Sequence, residues 1–466
     1  MRFQHPDRLI ILPLRVETLS LLFVPPAEGG GMEIYMKNSV LNIYKYLFFL
    51  IYGSMIYVYI YNLVDKGLSI SNGRMNLIML VVGIVVLGTT SKMLKLSKRT
   101  SIVYVFLFIF LIWCVIGGFF SRYENVIFDH FIFYSIFVID IVIIGLCISR
   151  FQVIVESIVI PFCIIGYMLI ERMYAYKQYI NSSSMNIVSA FLRQGNYVRL
   201  PFGFAHVNSL GNICLLEICL FITLFSYLME NKEIRFSLFL KLILLIIAFL
   251  DVYVMLYTST RTAIMCTLIL FLMILVVSVY RANSARWRIL FSFLGMFCAI
   301  MLIVYMIIQG KFSLSTFDAV SGRNNSLNLK IMKDAKDLIF GIGFVNPGLF
   351  GQKALGELTT WMDNYYIYIF VTTGLVGAIL NFGFIYLTGR QLFLRIIAEN
   401  NRFSLCIFFM FIVNCISGFL ETSVVYPQFL FSLVGFSVFL GNINESLSTQ
   451  ITTTLRTKTQ VKFSQR

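Results

Sequence analysis

The sequence predicts an all-α polytopic membrane protein with about twelve transmembrane helices. Of its 466 residues, 59% are hydrophobic and 13% are charged, with a mean hydropathy of +0.85, whereas soluble domains carry roughly 25% charged residues. Apolar runs close to the ~20 residues that a spanning helix needs recur from Leu41 to Leu440. These runs are continuous and do not alternate between apolar and polar residues, which excludes a transmembrane β-barrel.

Twelve spans follow from the apolar runs when a window of about 19 residues is used. They cover residues 41–61, 75–91, 102–120, 126–148, 153–170, 204–229, 238–257, 262–280, 289–309, 364–388, 403–421 and 425–440. Glu421 and Pro427 crowd the connection between the last two spans, so the boundary there is the hardest to place.

The basic residues predict the orientation, because Lys and Arg cluster in alternate short connections. By the positive-inside rule these connections are cytoplasmic, so both termini lie inside and the protein is a multi-pass protein of the cytoplasmic (inner) membrane. The transmembrane domain covers residues 32–440, with two long external loops at 171–203 and 310–363 and a basic cytoplasmic tail at 441–466.

The first 31 residues fit neither a span nor a signal peptide. Their apolar stretch is short, charged and interrupted by proline, and it has no small-residue cleavage site before a soluble domain. The codons of Glu28-Gly29-Gly30-Gly31 could encode a purine-rich ribosome-binding sequence, so we expect translation to start at Met32 or Met36.

The cysteines and the net charge exclude several classes of function. All nine cysteines lie in apolar runs without a Cys-x-x-Cys pair, which indicates small core hydrophobes and neither a disulfide framework nor a metal site. The net charge is +15. The positions of the basic residues indicate membrane topology and contact with phosphate-bearing lipids, so we expect no nucleic-acid partner. We also expect no metal and no cofactor.

The first polar segment, Arg199 to Gly211, forms a predicted loop-to-helix boundary on the external side. His206 and Asn208 lie within it. One interpretation is that they cap the start of the helix and satisfy their own hydrogen bonds. The other is that the imidazole and the amide face a polar cavity and contact a substrate.

The second polar segment, Tyr257 to Thr262, connects two predicted spans at the same side. Arg261 near the hydrocarbon must be paired, line a hydrated cavity or extend toward the headgroups. The hydroxyl residues on both sides of it favour a turn that faces phosphate, which guanidinium binds with two parallel hydrogen bonds.

The long loop contains the third set of polar residues. Arg323 follows Gly322 at a predicted helix start, where donors converge on an anion. Asp363 and Asn364 end the loop at the next span. Three lysines recur every third residue but alternate with aspartates, which indicates a solvated helix face: Lys330, Lys333 and Lys336.

In this order the segments resemble the O-antigen polymerase and ligase superfamily, of the Wzy and WaaL type, over residues 195–390. The matching motifs are His206-Val207-Asn208, Ser259-Thr260-Arg261-Thr262, Gly322-Arg323, Gly341-Ile342-Gly343, Asp363-Asn364 and Gly374-Leu375-Val376-Gly377. Val207 stands in place of the usual proline. Asp363 stands where the ligase branch carries a histidine, and the long loop has no histidine, which favours a polymerase over a ligase.

The resemblance implies a metal-independent glycosyltransferase at the outer face of the cytoplasmic membrane. It would polymerise undecaprenyl-pyrophosphate-linked repeat units into O-antigen, capsule or exopolysaccharide, with membrane lipid, a chain-length regulator and a flippase as expected partners. The implied catalytic base is Asp363, with His206 as the alternative. The implied substrate-binding residues are Arg261, Arg323, Arg199, Asn208 and Asn364.

Other functions stay open at this point. A ligase would move finished glycan onto a different acceptor. A transporter or flippase of lipid-linked sugars would need cations in a central cavity and no base. Against it, the charges cluster in the loops, and acids within spans, such as Asp140, Glu217 and Asp251, are few. A membrane scaffold for a biosynthetic complex is the third alternative.

Overall fold

The fold is taken from a computed structural model of the chain. It describes residues 31–64, 70–90, 98–120, 124–178, 199–231, 237–282, 329–344, 362–427 and 429–444. Several predictions lie outside these residues: the doubtful leader up to residue 30, the span at 289–309, Arg323 with most of both long loops, and the basic tail beyond residue 444.

The described part of the chain is helical and contains no strand. Its helices are α1 (Gly31–Tyr61), α2 (Asn72–Thr90), α3 (Lys98–Phe119), α4 (Glu124–Phe151), α5 (Ile154–Ala175), α6 (Val207–Glu230), α7 (Ser237–Thr258), α8 (Arg261–Ala282), α9 (Ala335–Phe340), α10 (Tyr365–Glu399), α11 (Arg402–Ser417) and α12 (Leu430–Asn444). One isolated antiparallel bridge joins Val64 to Phe204.

These helices confirm an all-α polytopic membrane protein. Among the described residues, nine helices are long and apolar enough to cross a membrane, and α11 and α12 are shorter apolar helices. Each predicted span within the described residues coincides with one of these helices. Helix α11 has 16 residues, about 24 Å at ~1.5 Å per residue, which is less than the ~30 Å of hydrocarbon.

The boundary between α10 and α11 differs from the predicted one. Helix α10 runs to Glu399, 35 residues in all, well past the predicted end at residue 388. It stops because Asn400 adopts the left-handed conformation (φ 47°) that ends helices, and Asn401 then caps α11 by accepting from the Ser404 N–H. These adjacent asparagines set a boundary that hydropathy does not register.

The chain divides into two units between Leu47 and Phe48. The first unit contains the beginning of α1. All packing described below lies within the second unit.

Helix α6 is the centre of one helix group in the second unit. It packs against α5, α7, α8 and α11, and 78% of its most apolar stretch is buried, compared with 22% for α7. Gly211 permits α6 to approach the turn before α8, because a Cβ there would lie 2.5 Å from the Thr260 hydroxyl. The start of α6 and the turn before α8 are therefore in direct contact.

Candidate functional site

A chain of hydrogen bonds links three segments that are far apart in the sequence. The Arg199 Nε donates to the Thr258 carbonyl oxygen at 2.8 Å, and its Nη2 donates to the Asn208 Oδ1 at 2.9 Å. The Asn208 Nδ2 donates to the Glu421 Oε1 at 3.2 Å. We refer to Arg199, Asn208 and Glu421 as the polar chain.

Backbone contacts hold the first segment in position. The Leu200 N–H donates to the Tyr257 carbonyl at 3.2 Å, and the Ala205 N–H donates to the Leu63 carbonyl at 2.8 Å. Between them Gly203 has a φ of +80°, and a Cβ there would lie 2.7 Å from the Tyr176 hydroxyl. The segment is thus held between the end of α1 and the turn that connects α7 to α8.

His206 is the N-cap of α6, and its Nδ1 accepts from the Asn208 N–H at 3.3 Å. His206 therefore caps the helix, as one of the two interpretations of the sequence predicted. The residue is also exposed. A neutral ring that accepts at Nδ1 carries its proton on Nε2, so the Nε2 side is a donor. Asn208 does not cap the helix with its side chain, which belongs to the polar chain.

The turn before α8 is closed by its own hydroxyl groups. The Thr260 hydroxyl lies 2.8 Å from the Thr258 hydroxyl and 3.3 Å from the Val207 carbonyl. Ser259 adopts a φ of +50°, and Thr258, Ser259 and Thr260 are buried. These hydroxyls hold the turn instead of facing outward as the sequence led us to expect.

Arg261 is the first residue of α8 and is half-buried. The amino end of a helix carries partial positive charge, which disfavours a cation there and favours an anion. An anion next to the guanidinium would offset both charges at once. The position therefore fits the phosphate-binding role that the sequence predicted.

Glu421 is the residue of this site that the sequence analysis did not select. It lies in the turn after α11, is 5% exposed, and its N–H donates to the Ser417 carbonyl at 2.9 Å. The sequence does contain a signal for this residue, because an acidic residue within a predicted transmembrane span is energetically costly and usually functional. In the hydropathy pattern Glu421 marks only the connection between the last two spans.

Asp363 and Asn364 lie against the same turn. The Asn364 Oδ1 caps α10 by accepting from the Tyr366 N–H at 3.0 Å and the Ile367 N–H at 3.2 Å. The Tyr365 N–H donates to the Gly418 carbonyl at 2.8 Å. Asn364 is buried and Asp363 is half-buried. Asn364, predicted to bind substrate, therefore uses its side-chain oxygen to cap α10.

The structure thus brings most of the predicted residues to one end of the helix group. Hydrogen bonds connect the segments one after another, through the Arg199–Thr258, Thr260–Val207, Asn208–Glu421 and Tyr365–Gly418 contacts. The predicted site residues on these segments are Arg199, His206, Asn208, Arg261, Asp363 and Asn364. Arg323 lies outside the described residues.

The two glycine motifs form a separate junction, made of Gly341, Gly343 and Gly374. Helix α10 is interrupted at Gly374, whose φ is +68°. Near this break the Ile342 N–H donates to the Val371 carbonyl at 2.9 Å and the Gly343 N–H donates to the Thr372 carbonyl at 3.0 Å. Backbone N–H groups of the Gly341-Ile342-Gly343 motif therefore donate to carbonyl groups next to the helix break at Gly374.

The glycine junction requires glycine for close approach. A Cβ at Gly341 (φ +78°) would lie 2.3 Å from the Thr372 carbonyl oxygen, and one at Gly374 would lie 2.2 Å from the Ile339 carbonyl oxygen. The Trp113 Nε1 donates to the Thr373 carbonyl at 2.9 Å. These motifs are explained by backbone packing, and no substrate is needed to account for them.

The lysines of the long loop do not form a helical stripe. Helix α9 has six residues and contains only Lys336 of the three. The lysines are exposed as predicted, but Asp337 is buried, and its Oδ2 accepts from the Lys333 N–H at 2.9 Å and the Asp334 N–H at 3.3 Å. Asp337 therefore completes a capping box with the N-cap Asp334 at the start of α9 and does not belong to a solvated charged face.

A metal site is not evident in this region. Within the described residues, no group of three or more His, Cys, Asp or Glu side chains could hold a metal ion. The segments that the hydrogen bonds join carry two guanidiniums, two amides, an imidazole and two carboxyl groups, which suit hydrogen bonding to phosphate and hydroxyl groups.

Comparison with known proteins does not place this chain in a family. No protein-family model matches it, and no curated protein matches it. The likeness to the O-antigen polymerase and ligase superfamily accordingly stays a resemblance in the order and spacing of short motifs.

Proposed function

We propose that this chain is a metal-independent glycosyltransferase that polymerises undecaprenyl-pyrophosphate-linked oligosaccharide repeat units into surface polysaccharide. The supporting observation is the polar chain, which joins the segment before α6 and the first turn of α6 to the turn before α8 and to the turn after α11. The residue types at this end match the motif order of the polymerase superfamily. The product would be O-antigen, capsule or exopolysaccharide.

The reaction needs positive charge at the leaving group. An acceptor hydroxyl attacks the anomeric carbon of the donor glycan, the bond from that carbon to the pyrophosphate oxygen breaks, and undecaprenyl pyrophosphate leaves. Guanidinium groups stabilise the charge that develops on this oxygen. Arg199 is held in one orientation by Thr258 and Asn208, and Arg261 begins the helix that follows Thr258. Arg323 completes the predicted set.

The reaction also needs a base at the acceptor hydroxyl. Asp363 precedes the N-cap of α10 and is half-buried. His206 accepts at Nδ1, so its Nε2 is a donor in the neutral ring. We therefore assign the base role to Asp363 and a hydrogen-bonding role to His206.

Purified protein and a synthetic lipid-linked repeat unit test the proposal directly. We expect a ladder of glycan products, release of undecaprenyl pyrophosphate, and unchanged rates in the presence of a chelator. Transfer to a different lipid acceptor without a ladder would indicate a ligase. Absence of any transfer would refute the glycosyltransferase proposal.

The location is tested by reporter fusions. We propose that the site faces outward from the cytoplasmic membrane, with both termini inside. Fusions after residues 97 and 285 should report cytoplasm, and fusions near 185 and 335 should report the external side. Opposite results for 185 and 335 would contradict both the span count and a shared external site.

A transporter or flippase of lipid-linked sugars is the second candidate. It is favoured by Glu217 on α6 and Asp251 on α7, which are both fully buried within spans of neighbouring helices, since acids inside a membrane often mark transport paths. Liposomes containing the purified protein would distinguish the two. A transporter would move lipid-linked sugar across the bilayer without lengthening it.

A further inference from the structure

The carboxylate of Glu421 is buried at a point between two halves of the candidate site. It is 5% exposed, and a buried polar group is costly unless it is hydrogen-bonded. Its turn is braced by the Ser417 and Ser423 hydroxyls, 2.8 Å apart, and by the Asn414 Nδ2, which donates to the Val424 carbonyl at 3.3 Å. Glu421 therefore extends from a well-supported turn toward Asn208.

The polar chain has a single possible direction. A guanidinium only donates hydrogen bonds and a carboxylate only accepts them, whereas an amide does both. Asn208 must therefore direct its oxygen to Arg199 and its nitrogen to Glu421, as observed at 2.9 and 3.2 Å. Without an acceptor at position 421, the amide would lose one of the two contacts that select this orientation.

The polar chain also links the two parts of the proposed active site, the pyrophosphate-binding region and the base. Arg199 contacts Thr258, three residues before Arg261, in the region proposed to bind pyrophosphate. Gly418, in the turn that carries Glu421, accepts from the N–H of Tyr365, two residues after the proposed base Asp363. Catalysis depends on holding such groups in fixed relative positions.

We infer that Glu421 is a positioning residue that orients Arg199 through Asn208 and holds the pyrophosphate-binding region at a fixed position relative to Asp363. The inference rests on the proposed function. Glu421 itself does not contact the substrate in this proposal. Its role is to keep the guanidinium of Arg199 directed at the leaving group during glycosyl transfer.

The test exchanges the hydrogen-bond donor and acceptor between positions 208 and 421. Asn208→Asp places a carboxylate against the buried Glu421 and should reduce polymer synthesis about tenfold or more, because the contact becomes a repulsion between two carboxylates. Glu421→Gln removes the carboxylate and should reduce synthesis several-fold. In the double variant Asn208→Asp/Glu421→Gln, position 208 accepts hydrogen bonds from both Arg199 and the amide at position 421. Polymer synthesis should therefore recover to within about threefold of wild type.

A matched control separates this contact from net charge. Asn208→Asp/Glu230→Gln has the same net charge as the first double variant, but Glu230 ends α6 at its opposite end. We expect no rescue in this control. Glu421→Asp retains the charge on a side chain one methylene shorter, and it should lower the turnover number while the thermal midpoint stays near that of wild type.

The measurements are the amount of protein in the membrane, its thermal midpoint, and turnover of the lipid-linked repeat unit per folded molecule. Rescue of turnover by the first double variant alone supports the inference. Wild-type turnover in both Glu421→Gln and Glu421→Asp, or rescue of the thermal midpoint without rescue of turnover, would overturn it. A wild-type protein with no turnover refutes the proposed function itself.

Discussion

The polar chain and the glycine junction both join distant segments, but they use different atoms. The polar chain uses side chains of Arg199, Asn208 and Glu421. The glycine junction uses backbone donors and carbonyls around Gly341 and Gly374, with no room for a side chain. In the sequence both kinds of feature are only short motifs or single residues. The difference shows that the glycine motifs serve backbone packing, whereas the polar segments meet through side chains, which is where we propose the chemistry.

The largest effect is expected at the glycine junction. Gly341→Ala would place a Cβ 2.3 Å from the Thr372 carbonyl oxygen at a φ of +78°, and we expect a loss of about 3–5 kcal/mol of stability from strain and overpacking. The amount of folded protein in the membrane measures this loss. Gly88→Ala is the matched control, because no atom lies within 4 Å of a Cβ built there. Equal levels of the two variants would contradict the packing role.

The next largest effect concerns the base. Asp363→Asn should leave the protein in the membrane but reduce polymer by about a hundredfold or more, because the amide retains the shape and cannot take a proton. His206→Ala should have a milder effect, consistent with a cap that hydrogen-bonds substrate. Gel analysis of the polysaccharide ladder measures both. If His206→Ala has the larger effect, the base role moves to His206.

The arginines should show a smaller but sharp effect. Arg261→Lys and Arg323→Lys should each reduce polymer about tenfold while single repeat units accumulate, since an ammonium cannot copy a bidentate guanidinium contact. Arg390→Lys, at an exposed position in the second half of α10, is the control. Full-length polymer from both lysine variants would favour side chains that only extend toward the headgroups.

The smallest effect is expected from the N-cap of α10. Asn364→Ala removes the acceptor for the Tyr366 and Ile367 N–H groups and should lower stability by about 1 kcal/mol. Asn364→Asp retains an acceptor and should lower it less. Thermal unfolding of the purified variants provides the comparison. An equal loss in both variants would mean that Asn364 contributes through contacts other than capping.

The sequence by itself determined the fold class and the position of nearly every described helix. This was possible because the cost of placing backbone and charge in hydrocarbon is local, so that a window of about 19 residues contains the necessary information. The same locality let His206 be considered as a cap, since its partner is Asn208, two residues away. Local signals failed at the end of α10, where the backbone of Asn400 decides the boundary.

Only the tertiary structure decided which polar residues meet. The contact between Asn208 and Glu421 joins residues 213 positions apart, and it depends on how α6 packs against α11 and on the turn after Ser417. Likewise, the glycine motifs acquire their role only when residues 341–343 lie against the interruption in α10. Hydrogen bonds are short and directional, so the pairing of distant groups depends on helix packing that no local pattern of residues specifies.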